Sequence, residues 1–263
     1  MNLGIENKRA LVTGASAGLG LATAVALSKE GVKLAINSRS MENLARASSE
    51  IKLAGGYEPA IVVGSMGETG EAEKIARETN TILGGIDILV VNAGGPPAGM
   101  FADINKDTWR SAAELTLHSA IDLTRAVLDG MAAQKWGRII YITSIAVRQP
   151  VDNLIISNTL RAGLTGFAKS LSNQYGKFGI TVNTICPGYH ATERLKGLAD
   201  FQSKKQGIST DEVYRQWAES SAVKRIGNPA EFGSVAAFLA SNQASFITGA
   251  AIPVDGGSYK GLL

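Results

Sequence analysis

The stretch "RALVTGASAGLGLATAVALSKEG", residues 9–31, decides the architecture. Its first part, 9–14, is a short apolar run closed by a glycine and reads as a buried strand. Its last part, 20–31, reads as the helix that follows. Between them lies the turn "TGASAGLG" (13–20), with glycines at 14, 18 and 20. Glycine lets the backbone turn tightly and come close to a pyrophosphate, whose charge is favoured by the N–H groups and dipole at the helix start. A glycine-rich turn alone is a weak signal. Between the first strand and first helix of a parallel sheet it is a strong one.

Further along, the same alternation recurs. Short apolar runs at 33–39, 57–64, 86–95, 137–144, 179–188 and 249–257 read as strands. Helical patterns occupy about 41–54, 68–83, 107–133, the segment "SNTLRAGLTGFAKSL" (157–171) and about 229–240. Strands apolar on both faces and separated by helices imply a parallel sheet covered on both sides. The expected fold is α/β, a single doubly wound Rossmann-type domain over 1–263. The polar, helix-prone segment 193–222 interrupts the alternation and reads as a flap over the carboxyl ends of the strands.

With 263 residues and 45% hydrophobic content, the chain suffices for a substantial core. A net charge of +3 with no dense Lys/Arg run argues against a nucleic-acid partner. Cys186 is the sole cysteine, so no internal disulfide forms, which fits a reducing cytoplasm. His118, His190 and Cys186 lack metal-ligand spacing, so no metal site is expected. The opening "MNLGIENKRALVTG" has no long apolar run, so no signal peptide is expected, and no run of about 18 apolar residues suggests a membrane span.

The end of the second strand bears on the choice of dinucleotide. An acidic residue there would bind the ribose hydroxyls and repel a 2′-phosphate. This chain has "NSRS" (37–40) instead. Arg39 offers a bidentate fork and Ser38 a hydroxyl, so NADP is the expected cofactor.

Taken together, these motifs resemble the short-chain dehydrogenase/reductase family over almost the full length, most closely its 3-oxoacyl-[acyl-carrier-protein] reductases. "TGASAGLG" resembles the family's TGxxxGxG, and "VNAGG" (91–95) its NNAG. "ICPGYHATERL" (185–195) resembles its PG-then-T motif, and 223–257 its C-terminal core. The resemblance implies a cofactor site of Gly14, Ser16, Gly18, Leu19, Gly20, Ser38, Arg39, Met66, Asn92, Ala93, Gly94, Arg161, Pro187, Gly188 and Thr192. Thr192 would hold the nicotinamide carboxamide. Met66 would pack against the adenine, where Ser65 replaces the family's frequent Asp. A homotetramer is also implied.

The resemblance breaks at the catalytic positions. The family's usual set is Asn, Ser, Tyr and Lys, the Tyr phenol donating the proton to the carbonyl oxygen as hydride arrives. Here the corresponding residues are Thr116, Ser144, Ser157 and Arg161. Residues 157 and 161 share a helix face. Arg161 keeps the positive charge but is no proton carrier, and an unassisted Ser hydroxyl is a far poorer acid than a phenol. Together, Ser144, Ser157 and Arg161 form a donor cluster suited to an oxyanion, alkoxide or enolate. Tyr189 and His190 are candidate replacement proton donors. "GGPPAGMF" (94–101) would form a rigid pocket wall. Three functions stay open: an NADP-dependent reductase of a 3-oxoacyl-like carbonyl, a reductase of a conjugated enoyl or dienoyl thioester, and a cofactor-binding protein with little turnover. The substrate is accordingly a small molecule or acyl thioester.

Overall fold

The computed structural model describes residues 2–262. Seven strands form one wholly parallel sheet: β1 (Arg9–Val12), β2 (Lys33–Ser38), β3 (Ala60–Val63), β4 (Ile88–Val91), β5 (Gly137–Ile142), β6 (Ile180–Pro187) and β7 (Ala251–Val254). The strand order is β3-β2-β1-β4-β5-β6-β7. The chain therefore winds outward from β1 to β3, returns to the centre, and winds the other way from β4. Val12 lies beside Ile36 on one side and Val90 on the other. The reversal leaves a crevice beyond the carboxyl ends of β1 and β4, where ligands bind in open α/β sheets.

Alternation along the central strands divides the core in two. Ala10 and Val12 on β1, with Ile88 and Val90 on β4, enter one cluster, while Leu11, Leu89 and Val91 enter the other. The first cluster is covered by α1 (Gly18–Lys29), α2 (Met41–Leu53) and α9 (Pro229–Leu239). α3 (Glu71–Leu83), α5 (Ser119–Ala133) and α6 (Ile155–Tyr175) cover the second. Gly233 on α9 allows close packing on α1, since a Cβ there would stand 2.4 Å from the Ala22 carbonyl oxygen. The doubly wound fold expected from the sequence is the one observed.

Two regions differ in detail from the sequence reading. The helix expected over 107–133 is α4 (Lys106–Ala113) and α5 joined by a π turn, Glu114–His118. A π turn inserts a residue into the helical ladder and is frequent at functional sites. The segment 193–222 folds as α7 (Glu193–Gln206) and α8 (Thr210–Ser220), which meet around Leu195, Ala199, Val213 and Trp217. Among the described residues, no helix is long and apolar enough to cross a membrane.

Candidate active site

The crevice is built first by a clamp between the turns after β1 and β4. The Thr13 hydroxyl donates to the Asn92 carbonyl at 3.0 Å and accepts the Asn92 N–H at 3.0 Å. Asn92 Nδ2 donates to the Gly14 carbonyl at 3.0 Å. Glycine is required on both sides of this contact. Gly14 has φ +56° and a Cβ there would lie 2.5 Å from the Asn92 oxygen, while one on Gly20 would lie 2.3 Å from the Gly14 oxygen. Gly18 differs: its φ is +59°, and its missing Cβ would meet only the Thr192 side chain, with Cγ2 nearest at 3.4 Å.

Side chains cap α2, α4, α7, α8 and α9 through Ser40, Asn105, Thr192, Ser209 and Asn228. α1, like α3, α5 and α6, has no side-chain cap, and its first turn holds no acidic residue. Its leading N–H groups and dipole are thus open to an anion. Ser16 and Leu19, both half-buried, flank this opening.

At the end of β2, the Asn37 amide donates to the Val62 carbonyl at 3.0 Å and the Gly64 carbonyl at 3.2 Å, and Ala15 N–H donates to the Asn37 carbonyl. This ties the tip of β2 to both neighbouring turns. Beyond it, Ser38 is half-buried and Arg39 is exposed. Arg39 forms no ion pair among the described residues. Met66, the expected adenine contact, is largely buried. Its side chain is only 6% exposed and belongs to the second core cluster with Val62, Ala72 and Ile75.

The residues expected to be catalytic lie on neighbouring elements, α6 meeting both the turn after β5 and the π turn. Ser144 lies just past β5, and its Oγ accepts the Ala146 N–H at 3.1 Å, which leaves the hydroxyl proton to be donated elsewhere. Ser157, in the first turn of α6, is 7% exposed. One helical turn later, Arg161 Nη1 donates to the carbonyls of Ile142 at 2.7 Å and Thr143 at 3.1 Å, and Nη2 donates to that of Ala93 at 3.4 Å. Its guanidinium thus lies across the carboxyl ends of β4 and β5. Burial, aided by the charge of Arg194, pushes the Arg161 pKa down to about 10, so the group stays a cation at neutral pH. Thr116 sits in the π turn, 2% exposed, with Oγ1 unpartnered.

On the far wall, Gly188 N–H donates to the Val254 carbonyl, and a Cβ on Gly188 would lie 2.7 Å from Asp255 Cβ. Pro187 ends β6. Thr192 caps α7 by accepting the Leu195 N–H at 3.2 Å. Ala93 is half-buried and Gly94 exposed at the rim.

Tyr189 and His190 were candidate proton donors, and their packing takes them elsewhere. Tyr189 stacks on Trp217 at 4.7 Å, and His190 lies edge-on to Phe232 at 5.6 Å. Both line a separate cavity of about 370 Å³ with Glu231, Val254 and Asp255, a lining that includes none of Ser144, Ser157 or Arg161. Burial raises the Tyr189 pKa and lowers that of His190, the latter against a hydrogen bond with the Gly188 carbonyl. His118 is an outward residue paired with Glu114 at 3.0 Å.

One residue of the crevice escaped the sequence reading. Arg194, in the first turn of α7, sends Nη2 to the Pro96 carbonyl at 2.8 Å. Its only sequence signal is an arginine two places after Thr192.

The sequence and the fold are matched by known proteins. A family model described as "Enoyl-(Acyl carrier protein) reductase" matches residues 14–259. The chain is 32% identical to the NADPH-dependent reductase BacG of Bacillus subtilis, over 98% of this chain and 100% of that one. It is 34% identical to the 3-oxoacyl-[acyl-carrier-protein] reductase of Salmonella typhimurium, over 98% and 99%. The chain belongs to the short-chain dehydrogenase/reductase family. Among solved structures of that family, the L-sorbose reductase of Gluconobacter frateurii, complexed with NADPH and L-sorbose, superposes with a TM-score of 0.93. It is 32% identical, and each chain is covered in full. In this fold Ser157 and Arg161 both lie on α6.

Proposed function

We propose that the chain is an NADP-dependent oxidoreductase that reduces a carbonyl in a 3-oxoacyl-like substrate. The observation that carries this reading is the convergence of Ser144, Ser157 and the buried Arg161 cation at the carboxyl ends of β4 and β5. Relatives named as NADPH-dependent and 3-oxoacyl reductases, and a neighbour complexed with a ketose, add support.

The residues suit NADP. The uncapped start of α1, with Gly14, Ser16, Gly18, Leu19 and Gly20, would face the pyrophosphate, and Ser38 and Arg39 the 2′-phosphate. Asn92, Ala93 and Gly94 would support the ribose side, and Pro187, Gly188 and Thr192 the carboxamide. NADPH supplies the hydride when bound. Ser144 and Ser157 donate hydrogen bonds to the substrate oxygen, and Arg161 supplies fixed positive charge as that oxygen becomes negative. The oxygen then takes its proton from water, with the Thr116 hydroxyl in the π turn available to orient it. The products are an alcohol and NADP⁺. The α7–α8 segment serves as the flap. The assembly is a homotetramer, supported by the fully exposed Phe246 and the open edge of β7.

A second reading, reduction of a conjugated enoyl or dienoyl thioester, is favoured by the confinement of Tyr189 and His190 in another cavity. An enolate needs donors at its oxygen and takes its proton later at carbon, so no phenol is required. Ketone and enone thioesters assayed with NADPH distinguish the two. The double change Ser157→Tyr with Arg161→Lys leaves a ketone reductase with the same reaction and an altered pH profile. It makes an enone reductase gain ketone reduction. Binding of NADPH without turnover on any substrate sinks both readings in favour of a cofactor-binding role.

A further inference from the structure

Two arginines face the crevice without an acidic partner. Arg161 and Arg194 enter from opposite sides, on α6 and α7, and reach the same short turn after β4: Arg161 Nη2 meets the Ala93 carbonyl and Arg194 Nη2 the Pro96 carbonyl. Neither forms an ion pair among the described residues. Three of the five Arg161 N–H donors are used on backbone carbonyls, which leaves two, and Arg194 has donors to spare. The Arg194 head also has a built seat. The guanidinium lies flat against Gly95, where a Cβ would stand 2.9 Å from its Nη2, 3.0 Å from its Nε and 3.1 Å from its Cζ, so any larger residue there would push the head aside. The charge of one arginine depresses the other, and no carboxylate counters it.

Cations brought together at a cost, with free donors and no protein anion between them, are suited to a ligand anion. We infer that a carboxylate on the substrate is seated between Arg194 and Arg161, so that among oxo compounds of the same carbon skeleton the crevice prefers those with a free carboxylate over their neutral esters. This rests on the reductase reading for the reaction but not for the binding. The cofactor pyrophosphate is the other anion within the crevice, and the experiment must tell the two apart.

The test uses the full-length protein with NADPH and a panel of 2-oxo and 3-oxo carboxylic acids, each paired with its methyl ester. NADPH oxidation and the melting temperature of the NADPH-bound protein are both followed. The wild type should prefer acid over ester. Arg194→Gln, which retains a donor for the Pro96 carbonyl, should lower the acid-to-ester ratio of kcat/KM by about 30-fold, mostly through KM, and Arg194→Lys should restore part of it. If no compound is reduced but the acids raise the melting temperature of wild type and not of Arg194→Gln, the carboxylate site stands and the reductase reading falls. Equal turnover of acids and esters, or an Arg194→Gln ratio unchanged from wild type, overturns the carboxylate site and leaves the reductase reading intact. A tenfold weaker NADPH affinity in Arg194→Gln, with acids and esters losing equally, gives Arg194 to the pyrophosphate and likewise overturns it. So does a panel in which nothing is reduced and no acid shifts the melting temperature.

Discussion

Gly18→Ala separates the stability of the crevice from its capacity to hold a dinucleotide. Gly18 opens α1 at φ +59°, and a Cβ there meets nothing closer than Thr192 Cγ2 at 3.4 Å. The left-handed conformation costs an alanine about 1–2 kcal/mol. The reduced freedom of the unfolded chain offsets about 0.5–1 kcal/mol of that. The variant should therefore be about 1 kcal/mol less stable and remain folded. Its methyl group, however, projects between the uncapped N–H groups of α1 and Thr192, where a pyrophosphate must approach closely. Losing one charge-assisted hydrogen bond costs about 1.5–3 kcal/mol, so the NADPH Kd should rise by roughly 10- to 100-fold. Urea unfolding measures the first quantity and titration of NADPH fluorescence the second. Gly14→Ala provides the contrast. Its Cβ would strike the Asn92 backbone oxygen at 2.5 Å, so it should lose stability and binding together. A Gly18→Ala protein that binds NADPH within twofold of wild type would refute the assignment of this turn to the pyrophosphate.

Three further outcomes are expected. Arg39→Asp should reverse the order of NADP over NAD affinity, since it replaces an unpaired cation at the tip of β2 with an anion; a wild type that prefers NAD at moderate salt would negate the reading of "NSRS". Burial alone would raise the Asp87 pKa, but hydrogen bonds from the Arg9 side chain and backbone and from Gln134 hold it below its ordinary value. Its contribution is thus full above the ordinary carboxylate range and is lost as pH falls through the folded value; Asp87→Asn should cost about 2 kcal/mol at pH 7, and a gap from wild type that fails to narrow in acid unfolding would count against this. Sedimentation at micromolar concentration should give a tetramer, and a monomeric mass would remove the case for subunit contacts through the C-terminal segment.

The sequence determined the winding of the chain, because strand and helix periodicities and glycine turns are written in neighbouring residues. The strand–turn–helix at 9–31 was legible for that reason, and so was the shared helix face of Ser157 and Arg161, four residues apart. Helical spacing brings side chains together but does not say what they meet. Tertiary structure alone decided that the Arg161 guanidinium would end on carbonyls 18, 19 and 68 residues away. It likewise brought Arg194 to Pro96 across 98 residues. Packing placed Met66 in the second core cluster, and aromatic contacts set Tyr189 and His190 along a cavity with Trp217. The π turn at Thr116 lies within a segment whose pattern reads as uninterrupted helix. In each case the outcome depends on volume and hydrogen-bond partners supplied by distant parts of the chain. Such partners exist only once the sheet has assembled and its two faces have been covered.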